Sequence, residues 1–100
     1  MKASIYHLQI NVRAAAVSLP FYKDLLGYLE YRVLHESRQV AGFTDGSADI
    51  WIIETDARFA AAGFHRKRMG LNHVAFLVGR RDEVDRFRDE FLRVRGIPAL

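Results

Sequence analysis

The stretch Ile5-Tyr6-His7-Leu8-Gln9-Ile10-Asn11-Val12 has an echo later in the chain, Leu71-Asn72-His73-Val74-Ala75-Phe76-Leu77-Val78. Sliding the sequence by 66 positions lays His7 on His73, Leu8 on Val74, Ile10 on Phe76 and Val12 on Val78. The match runs on, with Phe21 falling on Phe87, Leu25 on Phe91 and Leu26 on Leu92. A fixed internal offset marks a duplicated unit. Here the unit is a strand and then a helix, with a histidine at the same place in each copy. Both stretches alternate, which predicts half-buried strands of period two. In the first, Tyr6, Leu8, Ile10 and Val12 share a face and His7, Gln9 and Asn11 share the other. In the second, Val74, Phe76 and Val78 oppose His73, Ala75 and Leu77. Each strand therefore turns an apolar face to a helix and holds its histidine on the opposite face.

Outward from the first strand, Ala14 to Leu26 predicts a helix with Val17, Phe21 and Leu25, and Leu26 as a further candidate, as its apolar stripe. Pro20 is awkward deep in a helix and tolerated in a first turn, so the regular part is expected from about Ser18. Gly27 is expected to end it as a left-handed cap. Three strands should come next: Tyr28 to Glu36, Gln39 to Thr44, and Ala48 to Glu54. Asp45-Gly46-Ser47 is a hairpin signal between the last two. Residues 56–70 read as a linker that turns basic at Arg66-Lys67-Arg68. That run is a solvated loop or, on a functional reading, a rim that captures an anionic substrate. After the second strand, Asp82 should cap a helix from Glu83 to about Arg95, with Val84, Phe87 and Phe91, and Leu92 as a further candidate, inward and Gly96 closing it. A full second copy would add three more strands, so a partner chain should cover the second helix and the open sheet edge, or the chain is a truncated form.

One hundred residues suit one small domain, and a hydrophobic half suffices for one core. No run approaches a membrane span, and the N-terminus has no basic-then-apolar signal. The absence of cysteine rules out disulfides and thiolate metal sites and fits a reducing, cytoplasmic setting. A net charge of +3 is too mild to indicate nucleic acid, which usually asks for a clustered basic face.

The strand with His7, the segment Ser18-Leu19-Pro20-Phe21-Tyr22-Lys23-Asp24-Leu25-Leu26-Gly27, and the strand with Gly70-Leu71-Asn72-His73-Val74-Ala75-Phe76 together resemble the vicinal oxygen chelate superfamily. That group includes glyoxalase I, extradiol dioxygenases, fosfomycin-resistance enzymes and bleomycin-resistance proteins. The resemblance covers residues 5–98 and implies an α+β fold. A βαβββ module (5–55) would be followed, after the linker, by an incomplete second βα module (71–100) in a single domain spanning 1–100. It further implies a metal in a cup enclosed by paired modules, with ligands on the first and last strands of each. His7 and His73 match the two first-strand positions. The last-strand position of the first module lies within Asp49 to Glu54. Strand parity puts Trp51 in the cup, as in the fosfomycin-resistance branch, whereas a bulge near Ile53 would bring Glu54 inward as a ligand.

Two neutral imidazoles with one carboxylate suit a divalent zinc, nickel, manganese or iron ion. Such an ion acts as a Lewis acid toward adjacent substrate oxygens. Gln9, Asn11, Trp51 and Ala75 would then bind substrate, and no catalytic residue is assigned. The expected protein is a homodimeric, metal-dependent lyase, isomerase or dioxygenase acting on a small oxygenated metabolite, with no nucleic-acid or membrane partner. The competing readings are a metal-free drug- or metabolite-binding module of the bleomycin-resistance kind and a truncated, non-catalytic relic. For each histidine the plain alternative is a polar residue on a solvent-facing strand, and the repeat weighs against it. His35 and His65 read as surface residues.

Overall fold

The alternation of the first stretch is realised as β1, His7–Val12, whose residues are by turns exposed and half-buried. The computed structural model describes residues 1–99, in two compact units that divide after Gly63. In the first unit β1 leads into α1, Ala15–Tyr28, and then β2, Arg32–Glu36, β3, Val40–Thr44, β4, Asp49–Glu54, and the short α2, Ala57–Ala60. The four strands form one sheet in the order β1-β4-β3-β2. β1 runs parallel to β4, and the β3–β4 and β2–β3 pairs are antiparallel. This is a βαβββ module. The helix lies between β1 and β2 in sequence, while β1 pairs with the last strand, so the crossover brings the ends of the unit together.

Leu26 of α1 packs with Ala41, Phe43, Ile50 and Ile52 of the sheet, and Ile10, Val12, Leu19, Tyr22 and Tyr31 close around them. Phe43, Leu26 and Ile52 are fully buried. The helical stripe is therefore Leu19, Tyr22 and Leu26. The expected Val17 and Phe21 face outward, at 73% and 42% exposure.

The end of α1 departs from expectation. The helix runs through Gly27, and the left-handed residue is Glu30 at φ 67°. The Glu30 N–H donates to the Gly27 carbonyl at 3.0 Å and the Tyr31 N–H to the Leu26 carbonyl at 2.8 Å, which is a Schellman closure. Those two bonds hold residues 29–31 out of the sheet, so β2 starts at Arg32. The start differs too. The first turn forms at Ala15, with the Ser18 N–H donating to the Ala14 carbonyl at 2.9 Å, which leaves Pro20 in the second turn.

In the second unit, residues 71–78 form no strand and belong to no sheet among the described residues. An alternating stretch becomes a strand only with a hydrogen-bonded neighbour. The helix α3, Arg81–Arg86, is entered from Arg80, and Asp82 is not its cap. Asp82 pairs with Arg80 at 3.0 Å, and the Glu83 carboxylate reaches back to the Gly79 N–H at 3.2 Å. From Phe87 to Leu92 the helix widens to a π-helical turn, across which Phe87 and Phe91 stack with centroids 5.1 Å apart. Phe91 is fully buried, whereas Val84, expected inward, is 56% exposed. Gly96, at φ 65°, closes the helix. Its N–H donates to the Arg93 carbonyl at 3.1 Å, and the Ile97 N–H donates to the Leu92 carbonyl at 2.9 Å. The offset of 66 that lays His7 on His73 also lays Glu30 on Gly96, Tyr31 on Ile97 and Leu26 on Leu92. Both copies thus end their helix by the same pair of bonds.

Candidate functional site

Strand register decides which side chains stand together in the first unit. Three rows face α1: Leu8, Ile50, Phe43 and Val33, then Ile10, Ile52, Ala41 and Glu36, and last Val12 and Glu54. Successive residues of a strand point to opposite faces, so the rows between them occupy the open face. The first of these is His7, Asp49, Thr44 and Arg32, the second is Gln9, Trp51, Gly42 and His35, and the third is Asn11, Ile53 and Val40.

His7, Gln9 and Asn11 are exposed on this face, and Trp51 is half-buried among them. The Gln9 Nε2 donates to Asn11 Oδ1 at 2.9 Å, and the Tyr6 ring stands edge-on to His7 at 5.5 Å. Trp51 lies across β3, because Gly42 opposite it has no side chain. A Cβ on Gly42 would meet three adjacent atoms of the indole at 2.6, 2.8 and 2.8 Å. Beyond the glycine, the His35 ring stands 6.1 Å from the indole.

Glu54, a candidate ligand on sequence, is placed in the Val12 row on the helix side. Its Oε2 accepts from the Ala15 N–H at 2.8 Å. Ala14, the residue before α1, has no side-chain cap to offer, and Glu54 supplies the negative charge that a helix N-terminus favours. Trp51 takes the place in the open face that parity assigns it.

Two residues of that face escape sequence reasoning. Asp49 lies within the stretch, residues 49–54, in which a last-strand ligand is expected and is not singled out there, although period two from Trp51 places it on the face of His7, with which it pairs in register. His35 reads as plain surface. It reaches the open face because β2 carries a bulge: Val33 pairs with Phe43 and His35 with Gly42, leaving Leu34 unpaired between them. An inserted residue reverses the parity of the strand beyond it, and nothing in the local alternation announces it.

The second unit holds His73 and Ala75, both exposed, on the stretch that lacks a strand neighbour. The Asn72 Nδ2 donates to the Arg66 carbonyl at 2.7 Å, which turns Asn72 Oδ1 toward His73 Nδ1 at 2.8 Å. An amide oxygen only accepts, so this network puts the proton on Nδ1 and leaves the Nε2 lone pair free. A metal-binding histidine is held in this way by its other nitrogen.

His7 and Asp49 are donors of the types that divalent first-row metals take. They are two, and a catalytic zinc takes three protein ligands. Among the described residues no three histidine, cysteine, aspartate or glutamate side chains come together as a metal-holding group. No helix among the described residues is long and apolar enough to cross a membrane.

A family model for the Glyoxalase/Bleomycin resistance protein/Dioxygenase superfamily matches residues 4–94. The crystal structure of a candidate glyoxalase from Bacillus halodurans is similar over 96% of this chain and 71% of that one, at 35% identity and a TM-score of 0.89. No curated protein matches the chain.

Proposed function

The chain belongs to the Glyoxalase/Bleomycin resistance protein/Dioxygenase superfamily, and from that premise we propose that it is a metal-dependent lyase, isomerase or dioxygenase acting on a small oxygenated metabolite. The observation that carries this reading is the register of His7 with Asp49 on the open face of the sheet. An imidazole and a carboxylate on neighbouring strands, about 4.8 Å apart by ordinary strand spacing, are set to share one ion. His73 is the candidate donor of the second unit, its ring oriented through Nδ1 by Asn72. Zinc, nickel, manganese and iron(II) all fit such a donor set. When bound, the ion supplies a Lewis acid for adjacent substrate oxygens. The chain's own part is to orient the substrate. Gln9 and Asn11, held to each other, present one carbonyl oxygen and one amide nitrogen beside the site, and Trp51 shields one side from water. Glu54 is left out of the donor set because α1 engages its carboxylate.

Elemental analysis of protein purified without chelator or affinity tag tests the assignment. The parent should carry near-stoichiometric metal. His7→Ala and Asp49→Asn should each bind it at least about tenfold more weakly, the lower end of what loss of a single supporting group costs, and a loss of the same size in His73→Ala would establish His73 as a donor. Glu54→Gln should keep it. No metal after reconstitution with zinc, nickel, manganese and anaerobic iron(II) would reject the enzyme in favour of a metal-free binding module. The indole laid over Gly42 is the feature that favours that second reading.

A further inference from the structure

We infer that Gly42, Trp51 and His35 form a shelf that selects planar, conjugated ligands with oxygen substituents at one end. The inference rests on the open face of the first unit being the binding face. It is independent of whether a metal is held there.

Three adjacent atoms of the six-membered indole ring lie at nearly equal distances from where a Gly42 Cβ would be. The ring therefore lies over the β3 backbone and does not stand on edge. The chain accepts the cost of glycine in a strand and gains a flat apolar surface. The bulge at Leu34 then sets His35 at the far side of the glycine, its ring tilted 37° to the indole. Two rings side by side make a wider floor than one. Aromatic faces prefer aromatic partners by roughly two- to tenfold in binding beyond the area they bury. A saturated ring of the same size would bury the area and lose that preference. Gln9, in the same row, and Asn11 supply the polar edge. The His7–Asp49 row lies one pleat repeat, about 7 Å, along the strands, so a ligand stacked on Trp51 directs its oxygens there.

Trp51 is the single tryptophan of the chain, so its indole N–H gives one nuclear magnetic resonance signal. Metal-free protein is titrated with 2-naphthol and separately with decahydro-2-naphthol, its saturated counterpart. The expected result is a saturable shift of the indole signal with 2-naphthol and binding at least about fivefold weaker for the saturated ring. Gly42→Ala, which must push the indole aside, should weaken 2-naphthol binding about tenfold in a variant whose backbone spectrum shows it folded. If it does not fold, Trp51→Leu, followed through the Gln9 side-chain amide signal, should show the same loss. Equal binding of the two rings, or an undiminished response in Gly42→Ala or Trp51→Leu, overturns the proposal. So does an indole signal that moves with protein concentration but not with 2-naphthol, since a second copy then covers the shelf. Failure of metal reconstitution with the naphthol shift intact rejects the metal site alone.

Discussion

Glu30 occupies the one left-handed position among the described non-glycine residues, and the duplicated copy answers it with Gly96. A residue with a Cβ pays roughly 1–2 kcal/mol for that conformation, and part of this returns through the greater freedom of glycine in the unfolded chain. Glu30→Gly should therefore stabilise the first unit by about 1 kcal/mol. Urea denaturation should show a higher midpoint at unchanged slope, and an unchanged midpoint would mean that the Schellman closure carries no strain. The same residue shows why the sequence misleads at that point. Gly27 is the nearest glycine and the natural candidate for the cap, but the cap is fixed by where Tyr31 can bond back to Leu26. A similar limit applies to the candidate site. His7, Gln9, Asn11 and Trp51 are legible because period two holds along β1 and β4. His35 is not, since a bulge reverses parity without a distinctive residue. Glu54 reads either way until its bond to the Ala15 N–H is known.

At the scale of elements, the β3–β4 hairpin is legible because Asp45-Gly46-Ser47 carries its own chemistry. Gly46 adopts φ 94°, and the Asp45 Oδ1 accepts from the Ser47 and Ala48 N–H groups, both at 2.8 Å. Those backbone donors, Ala48 foremost and then Ser47, hold the Asp45 carboxyl below the ordinary aspartate range. A depressed folded pKa adds stability that is complete above the unfolded value, about 3.9, and is lost as pH falls through the folded value. The parent should accordingly lose stability below about pH 4 more steeply than Asp45→Asn, which keeps an acceptor oxygen but does not titrate. Unfolding free energies measured across pH 2–6 check this, and parallel curves would remove Asp45 from the acid response. Residues 71–78 show the opposite case. Their alternation is as clear as that of β1, but β1 has β4 beside it and they have no sheet partner strand among the described residues. A strand's pattern is written in its own sequence and its existence depends on another segment.

For the whole molecule, the stretch 71–78, outside the sheet of the described residues, is an argument about assembly. Leu77 is 99% exposed, and Leu71, Val74 and Phe76 are between 39% and 50% exposed, on a segment whose side chains alternate as a strand's do. Strand-forming side chains outside any sheet, like open sheet edges, are a template for another chain. In the first unit, β1 and β2 are the two outer strands of the sheet, so each has one long side without a neighbour in that sheet. We expect a second copy to satisfy these groups, giving a dimer of twice the 11.5 kDa chain mass. Light scattering across a concentration series reads it directly. Leu77→Asp should shift the population toward monomer, because a carboxylate has no place in a dry strand pairing, while leaving the first unit's core of Phe43, Leu26 and Ile52 intact by circular dichroism. A folded, monodisperse monomer for the parent over the whole series would reject the dimer. The repeat is visible in the sequence because duplication copies residues one for one. Assembly is only an expectation there, since it depends on which surface the folded units leave uncovered.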